Sequence, residues 1–332
     1  MAKTKPMPGS EPSAKVKTAE RLPKRTSNGG TSFWARLWAQ RELMLMLIPG
    51  VVFFLIFKYG PIYGLRLAFL DYSPFLGYEG SDFVGLDNFK RLFVDNIDEF
   101  WRLLGNTLTH TLLSFGTSFP LAIVFALILN EVRMPGVKKA YQTISYLPTF
   151  LSGVIIASIF IELFSVKDGI INKVIEALGF EAIPFMNKSW GYYLVYVLSG
   201  LWASIGNSAI IYLSALSGVD QEMYEAAEID GCSRLKRIWY ITVPAIMPTI
   251  VTMFLINIGH LIRIGADKTL LLRNDLTANE IGMLSTYVYD MNFTWAETSY
   301  AATVGFFESV VSAVLLLTFN YIAKKRTGNS IW

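Results

Sequence analysis

Cysteine occurs once in these 332 residues, at Cys232, and histidine twice. A single thiol excludes an internal disulfide, and His110 and His260, far apart in sequence, offer no local His/Cys metal motif. Charge is scarce too, at 17% of residues, well below what a soluble chain of this length needs to cover its surface. There is no Gly-Lys dipeptide, so there is no P-loop to cradle nucleotide phosphates, and no His-Glu-x-x-His zinc motif. The start is not expected to be a cleavable signal peptide: no apolar stretch appears until about Leu43, and no small-residue cleavage site of the usual kind follows it.

Hydrophobic residues fill this gap, at 53% of the chain with a mean hydropathy of +0.41. About 20 apolar residues cross a bilayer's hydrocarbon layer. Six candidate spans satisfy that length, at roughly 43–68, 107–130, 141–164, 190–216, 244–264 and 299–322. The expected fold class is therefore all-α, a polytopic membrane protein of six transmembrane helices. Lys58 and Pro61 interrupt the outer part of the first span. Ahead of the spans, 1–32 reads as a disordered basic tail, too poor in apolar residues to offset ordering entropy. Residues 33–42, with Trp34 and Trp38 beside Arg36 and Arg41, suit an interfacial helix. The spans occupy 43–325, and 326–332 forms a short terminal tail.

Loop charge sets the expected orientation. With the amino terminus inside, segments 1–42, 131–140, 217–243 and 323–332 carry nine, three, three and three of the 29 Lys and Arg residues. They make up little more than a quarter of the chain and hold well over half of its basic residues, the positive-inside pattern, with both termini expected in the cytoplasm. The outer segments 69–106, 165–189 and 265–298 read as short interfacial helices and caps.

Segment 217–243 is a polar insert between two apolar runs. Asp220 can cap a helix carrying Glu222, Glu225, Ala226, Ala227 and Glu228, acids that the dipole favours near a helix start. Asp230-Gly231 breaks that helix, because glycine accepts the positive-φ conformation of a tight corner. A second helix over about 233–241 follows, and Pro244 is expected to end it and open the next span. A solvated loop whose charges merely obey topology would read the same on these grounds.

The order of residues decides the matter. Glu225-Ala226-Ala227, then Asp230-Gly231, Ile241 and Pro244, resembles the signature loop of the membrane subunits of ABC importers. Cys232 stands where that family usually has alanine and Ile238 where phenylalanine is common. The resemblance runs through most of 40–325. Phe57-Lys58-Tyr59-Gly60-Pro61-Ile62-Tyr63-Gly64, Phe69-x-Asp71-Tyr72-Ser73-Pro74-Phe75 and Val84-Gly85-Leu86-Asp87-Asn88-Phe89 are similar to one branch. So are Tyr146-Leu147-Pro148 and Ser285-Thr286-Tyr287-Val288-Tyr289. That branch serves importers of oligosaccharides from complex polysaccharides, including pectin- and alginate-type uronates.

The resemblance implies a permease subunit of the type I importer fold in a bacterial inner membrane, working by alternating access. It implies as partners a second permease, two ATPase subunits that dock on the 225–244 loop, and an extracytoplasmic solute-binding protein. ATP and Mg would be held on the ATPase, leaving this chain no cofactor, metal or catalytic residue. Nucleic acid is not an expected partner.

For the solute pathway, Tyr196, Gly200, Ser204 and Asn207 fall on one helical stripe at 100° per residue. In the fifth span Asn257 and His260 share a face, with Arg263 one turn further on, suited to bidentate recognition of a carboxylate. Tyr196 and Asn207 serve equally well as bonds between helices, and Arg263 could snorkel to the interface. A membrane enzyme using Glu162, His260 or Glu308 is the runner-up; its acids should converge near one interface, and here they are scattered. An ion-driven carrier would leave the signature loop without a purpose.

Overall fold

Helices account for most of the described chain. The computed structural model of the protein describes residue 38, residues 40–259 and residues 265–327. The tail 1–32, most of the interfacial segment 33–42, the pathway candidates His260 and Arg263, and residues 328–332 lie outside these. In chain order the principal helices are α1 (Arg41–Phe54), α2 (Ile97–Glu131), α3 (Pro135–Tyr146), α4 (Gly153–Leu163) and α5 (Ile170–Ala177). There follow α6 (Ser189–Ser217), α7 (Gln221–Ile229), α8 (Val243–Ile258), α9 (Asp267–Leu272), α10 (Leu284–Phe293) and α11 (Thr298–Thr327).

The chain divides into two compact units at Pro61–Ile62. The first contains α1, whose apolar residues form no core of their own. The second contains α2 to α11.

Five helical stretches are long and apolar enough to cross a membrane: Arg41–Phe69, Ile97–Glu131, Ser189–Ser217, Arg234–Ile258 and Thr298–Lys325. The second starts ten residues before its expected beginning at 107. The remaining expected span, 141–164, third in chain order, is not one helix. Its two arms, Pro135–Phe150 and α4, meet at 103°. Leu151 and Ser152 are extended, and the Ser152 hydroxyl accepts the Ile155 amide at 3.3 Å to cap α4. Hydrophobicity averaged along a stretch does not register such a corner.

Two prolines also act differently from expectation. Proline cannot donate to the preceding turn, and its ring meets the carbonyl four residues back. Ahead of Pro61 lies a π-helical turn, Leu55–Tyr59, and ahead of Pro244 another, Ile238–Thr242. The wider turn accommodates the proline, so each helix carries on where the sequence predicts an interruption. Pro244 therefore does not separate two helices: Arg234–Ile258 is continuous.

Within the second unit three buried clusters tie the helices together. One joins α2, α10 and α11 through Phe100, Leu103, Leu284, Tyr300 and Val304. Another joins α4, α6 and α9 through Phe160, Tyr192, Tyr196 and Leu272. A third joins α2, α6 and α8 through Ala122, Ala126, Ala209, Tyr212 and Ile246. Small residues bring backbones close, as expected where helix association rests on van der Waals packing rather than hydrophobicity. Gly206 of α6 is the clearest case: a Cβ there would collide with the Ser145 carbonyl of α3. Beside it, Thr149 donates to the Ala203 carbonyl at 3.0 Å.

The segments between spans are short helices and polar clamps, with one departure from an all-helical plan. Leu70–Asp71 and Asp82–Phe83 pair as a two-residue antiparallel ladder. Asn88 secures it, donating to the Ala68 and Leu70 carbonyls at 3.1 and 3.0 Å. The Val84–Phe89 sequence thus clamps the Phe69–Phe75 sequence. Arg91 pairs with Glu297 at 2.5 Å, and Arg273 grips Asp290 through two bonds of 2.7 and 2.8 Å. Those bonds hold the Arg273 guanidinium above its usual range despite partial burial.

Candidate functional site

Two places gather the chemistry: the insert after α6 and a cavity among α2, α6 and α8. In the insert, Asp220 caps α7 by accepting the Glu222 amide at 3.0 Å. The end of α7 is closed by two backbone bonds. The Cys232 amide reaches the Ala227 carbonyl at 2.9 Å and the Gly231 amide reaches Glu228 at 3.1 Å. This crossed pair is the Schellman arrangement, which needs a left-handed residue at its corner. Gly231 supplies it with φ +72°.

Side chains then fix the second arm against α7. Arg237 pairs with Glu228 at 2.9 Å, and the Tyr224 and Thr242 hydroxyls bond at 2.9 Å. The ordered corner nevertheless leaves large apolar side chains uncovered: Ile229 is 87% exposed, Leu235 72% and Trp239 68%. Glu225, Ala226, Asp230, Gly231 and Pro244 are exposed as well, with Ala227 and Ile241 half-buried. A rigid polar frame presenting uncovered Trp, Leu and Ile is suited to docking in a groove of another protein.

The cavity, of about 530 Å³, lies among α2, α6 and α8. Its polar groups are hydroxyls and amides: Thr111, Ser114 and Ser118 from α2; Ser204, Asn207, Ser208 and Tyr212 from α6; and Asn257 from α8. Phe115 and Phe119 supply aromatic surface. Among the described residues no carboxylate, lysine, arginine or histidine lines it, and these groups offer hydrogen bonds and ring faces to a polyhydroxyl surface. Ser204 donates to the Gly200 carbonyl at 2.8 Å and Asn257 to Met253 at 2.7 Å, which leaves their oxygens as acceptors. Asn207 makes no side-chain bond among the described residues.

The structure therefore brings Ser204, Asn207 and Asn257 to one cavity and separates Tyr196 from them. Tyr196 is buried two turns away, its ring against His110 and Tyr192. His110 in turn bonds the Asn106 carbonyl at 2.8 Å and the Tyr192 hydroxyl at 3.1 Å, and Tyr192 donates to Thr269. Of the acids weighed for a membrane enzyme, Glu162 is exposed on α4 while Glu308 is buried on α11, where Ser285 donates to it at 3.2 Å. The α2 hydroxyls were missed by sequence reasoning. Their 111, 114, 118 spacing is a helical stripe and was readable in principle.

Residues 118–327 match the family described as binding-protein-dependent transport system inner membrane component. The chain is 42% identical over 303 residues to Protein LplB of Bacillus subtilis strain 168, covering 91% of this chain and 95% of that one. It is 41% identical over 291 residues to the polygalacturonan/rhamnogalacturonan transport system permease protein YteP of the same bacterium, covering 87% and 90%. Among solved structures, a bacterial ABC transporter involved in the import of the acidic polysaccharide alginate has a chain that superposes with a TM-score of 0.80. That chain is 34% identical, with 89% of this chain and 99% of the other covered. A second structure, of a bacterial alginate ABC transporter in complex with an alginate pentasaccharide-bound periplasmic protein, gives a TM-score of 0.81 at 33% identity, covering 90% and 99%.

Proposed function

The chain belongs to the binding-protein-dependent transport system inner membrane components, and from that premise we propose that it carries acidic, uronate-containing oligosaccharides through the membrane. It is a multi-pass transport subunit and not an enzyme. An importer's permease works with a second permease, ATPase subunits and a solute-binding protein. The alginate transporter complexed with its periplasmic protein illustrates that last partner.

In this reading the insert at 217–243 faces the cytoplasm, as do both termini, and docks on the ATPase through Ile229, Leu235 and Trp239, framed by Glu225, Ala226, Ala227, Asp230, Gly231, Ile241 and Pro244. ATP and Mg are held by that partner. Nucleotide binding draws the docked inserts together and turns the cavity from inward- to outward-facing, and hydrolysis resets it. The solute passes through the cavity among α2, α6 and α8, where Ser204, Asn207 and Asn257 bond its hydroxyls. Residues 43–325 form the permease domain, with 1–32 as a basic tail, 33–42 at the interface and 326–332 as a second tail. His260 and Arg263 remain pathway candidates on sequence grounds.

The observation that carries this reading is the ordered, exposed apolar surface of the insert, which has no use in an isolated membrane protein. The acidic solute is supported by the alginate and polygalacturonan relatives. We expect Gly231→Asp to abolish uptake while the protein still inserts, because the new side chain puts charge and backbone strain at the docking corner. Co-purification of the ATPase should be lost with it. Uptake at the wild-type rate in that variant would refute the coupling assignment.

A further inference from the structure

One cation near the cavity has no acid to answer it. Lys268 of α9 reaches across to α6, where its ammonium donates to the Tyr196 carbonyl and lies 3.9 Å from the centre of the Tyr196 ring. Among the described residues it pairs with no carboxylate. It also fills the space left by Gly200, where a Cβ would stand 2.5 Å from the Lys268 Nζ. Gly200 is one turn from Ser204 and shares the stripe of Ser204 and Asn207, both of which line the cavity. Neither Gly200 nor Lys268 lines the cavity itself; along α6 the ammonium lies about one helical turn, roughly 6 Å, beyond Ser204.

We propose that Lys268 binds a carboxylate of the passing sugar at the α9 end of the cavity, and so selects uronate-containing oligosaccharides. The inference rests on the permease reading above and adds the residue that recognises charge. A desolvated cation without a counter-ion is costly, and such groups within transport proteins mark ion or solute paths. A ring face and one carbonyl hold the ammonium in place but leave its positive charge unmatched. An arriving carboxylate supplies the match through a charge-assisted bond, about twice as strong as a neutral one. The cavity itself, lined by hydroxyls and amides, accepts the neutral rest of the sugar.

The test uses the whole importer with its solute-binding protein, reconstituted in vesicles, and compares uptake of trigalacturonate with uptake of its fully methyl-esterified form. Lys268→Met should lower the acid-to-ester uptake ratio about tenfold or more, the scale of one charge-assisted bond. Lys268→Arg should keep the wild-type ratio. An unmoved ratio in Lys268→Met overturns the proposal even if both rates fall, since that is the mark of a strut between α9 and α6. Lys268→Gln serves in the same way should the methionine variant fail to assemble. If the wild type takes only the acid, the comparison becomes the KM for trigalacturonate in the Met and Arg variants, and equal values overturn the proposal. A wild type that takes neither trimer, or only the ester, refutes the acidic solute itself, a result distinct from any outcome at Lys268.

Discussion

Burial beneath α6 pushes the Lys268 ammonium down to about 7, from an ordinary value of 10.5. The sign of the linkage follows. The unfolded chain holds this proton up to about pH 10 and the folded chain releases it near 7, so between those values stability rises with pH; below 7 both states are protonated and the penalty is constant. Tyr196 of α6 holds the ammonium, His110 of α2 and Tyr192 of α6 pack on the Tyr196 ring, and Tyr193 packs on both of those. Comparison with Lys268→Met, which keeps all four, isolates the lysine. The melting temperature of the wild-type complex should rise relative to that variant as pH increases from 7 to 9. A constant difference would show that Lys268 keeps its proton. The polar stripe of α6 was legible from spacing, because 100° per residue puts Ser204 and Asn207 on one face whatever packs on it. Lys268 was not, since it arrives from a segment 72 residues beyond its partner Tyr196 and nothing local marks where its stem leads.

Glycines separate packing from mere permissiveness among the helices. Gly206 lies directly on the Ser145 backbone, whereas Gly105 of α2 has open space where a Cβ would stand. Gly206→Ala should therefore destabilise the complex by about 1–3 kcal/mol through overpacking, and Gly105→Ala should be neutral or gain up to about 1 kcal/mol in helix propensity. Thermal unfolding in detergent measures both. A neutral Gly206→Ala would mean that α3 yields easily and the corner after it is not held by α6. Element identity was largely readable, with span positions close to those seen, because long apolar runs leave few alternatives. The corner at Leu151–Ser152 and the continuity through Pro244 were not. Proline and serine announce local preference, but a π turn beside the proline or a contact with α6 settles what the helix does.

Orientation belongs to the whole molecule, and this chain carries its own reporter. Cys232 is the sole cysteine and stands beside Gly231 at the corner of the insert. With the insert cytoplasmic, a membrane-impermeant maleimide should leave intact spheroplasts unlabelled and react once they are opened. Added ATPase subunit should then slow the reaction. Labelling of sealed cells would invert the topology, and unchanged reactivity with ATPase present would move the docking surface elsewhere.

The uninterrupted helix Arg234–Ile258 has a mechanical meaning. It is a rod of 25 residues, roughly 37 Å at 1.5 Å per residue. One end carries Leu235 and Trp239; near the other, Met253 and Asn257 form part of the cavity wall. Pro244, expected to act as a joint between two pieces, instead lies inside a single helical stretch, so on the proposed docking a shift imposed at Leu235 and Trp239 would be carried along that stretch to Asn257. On that proposal the insert would be the handle of the wall it moves.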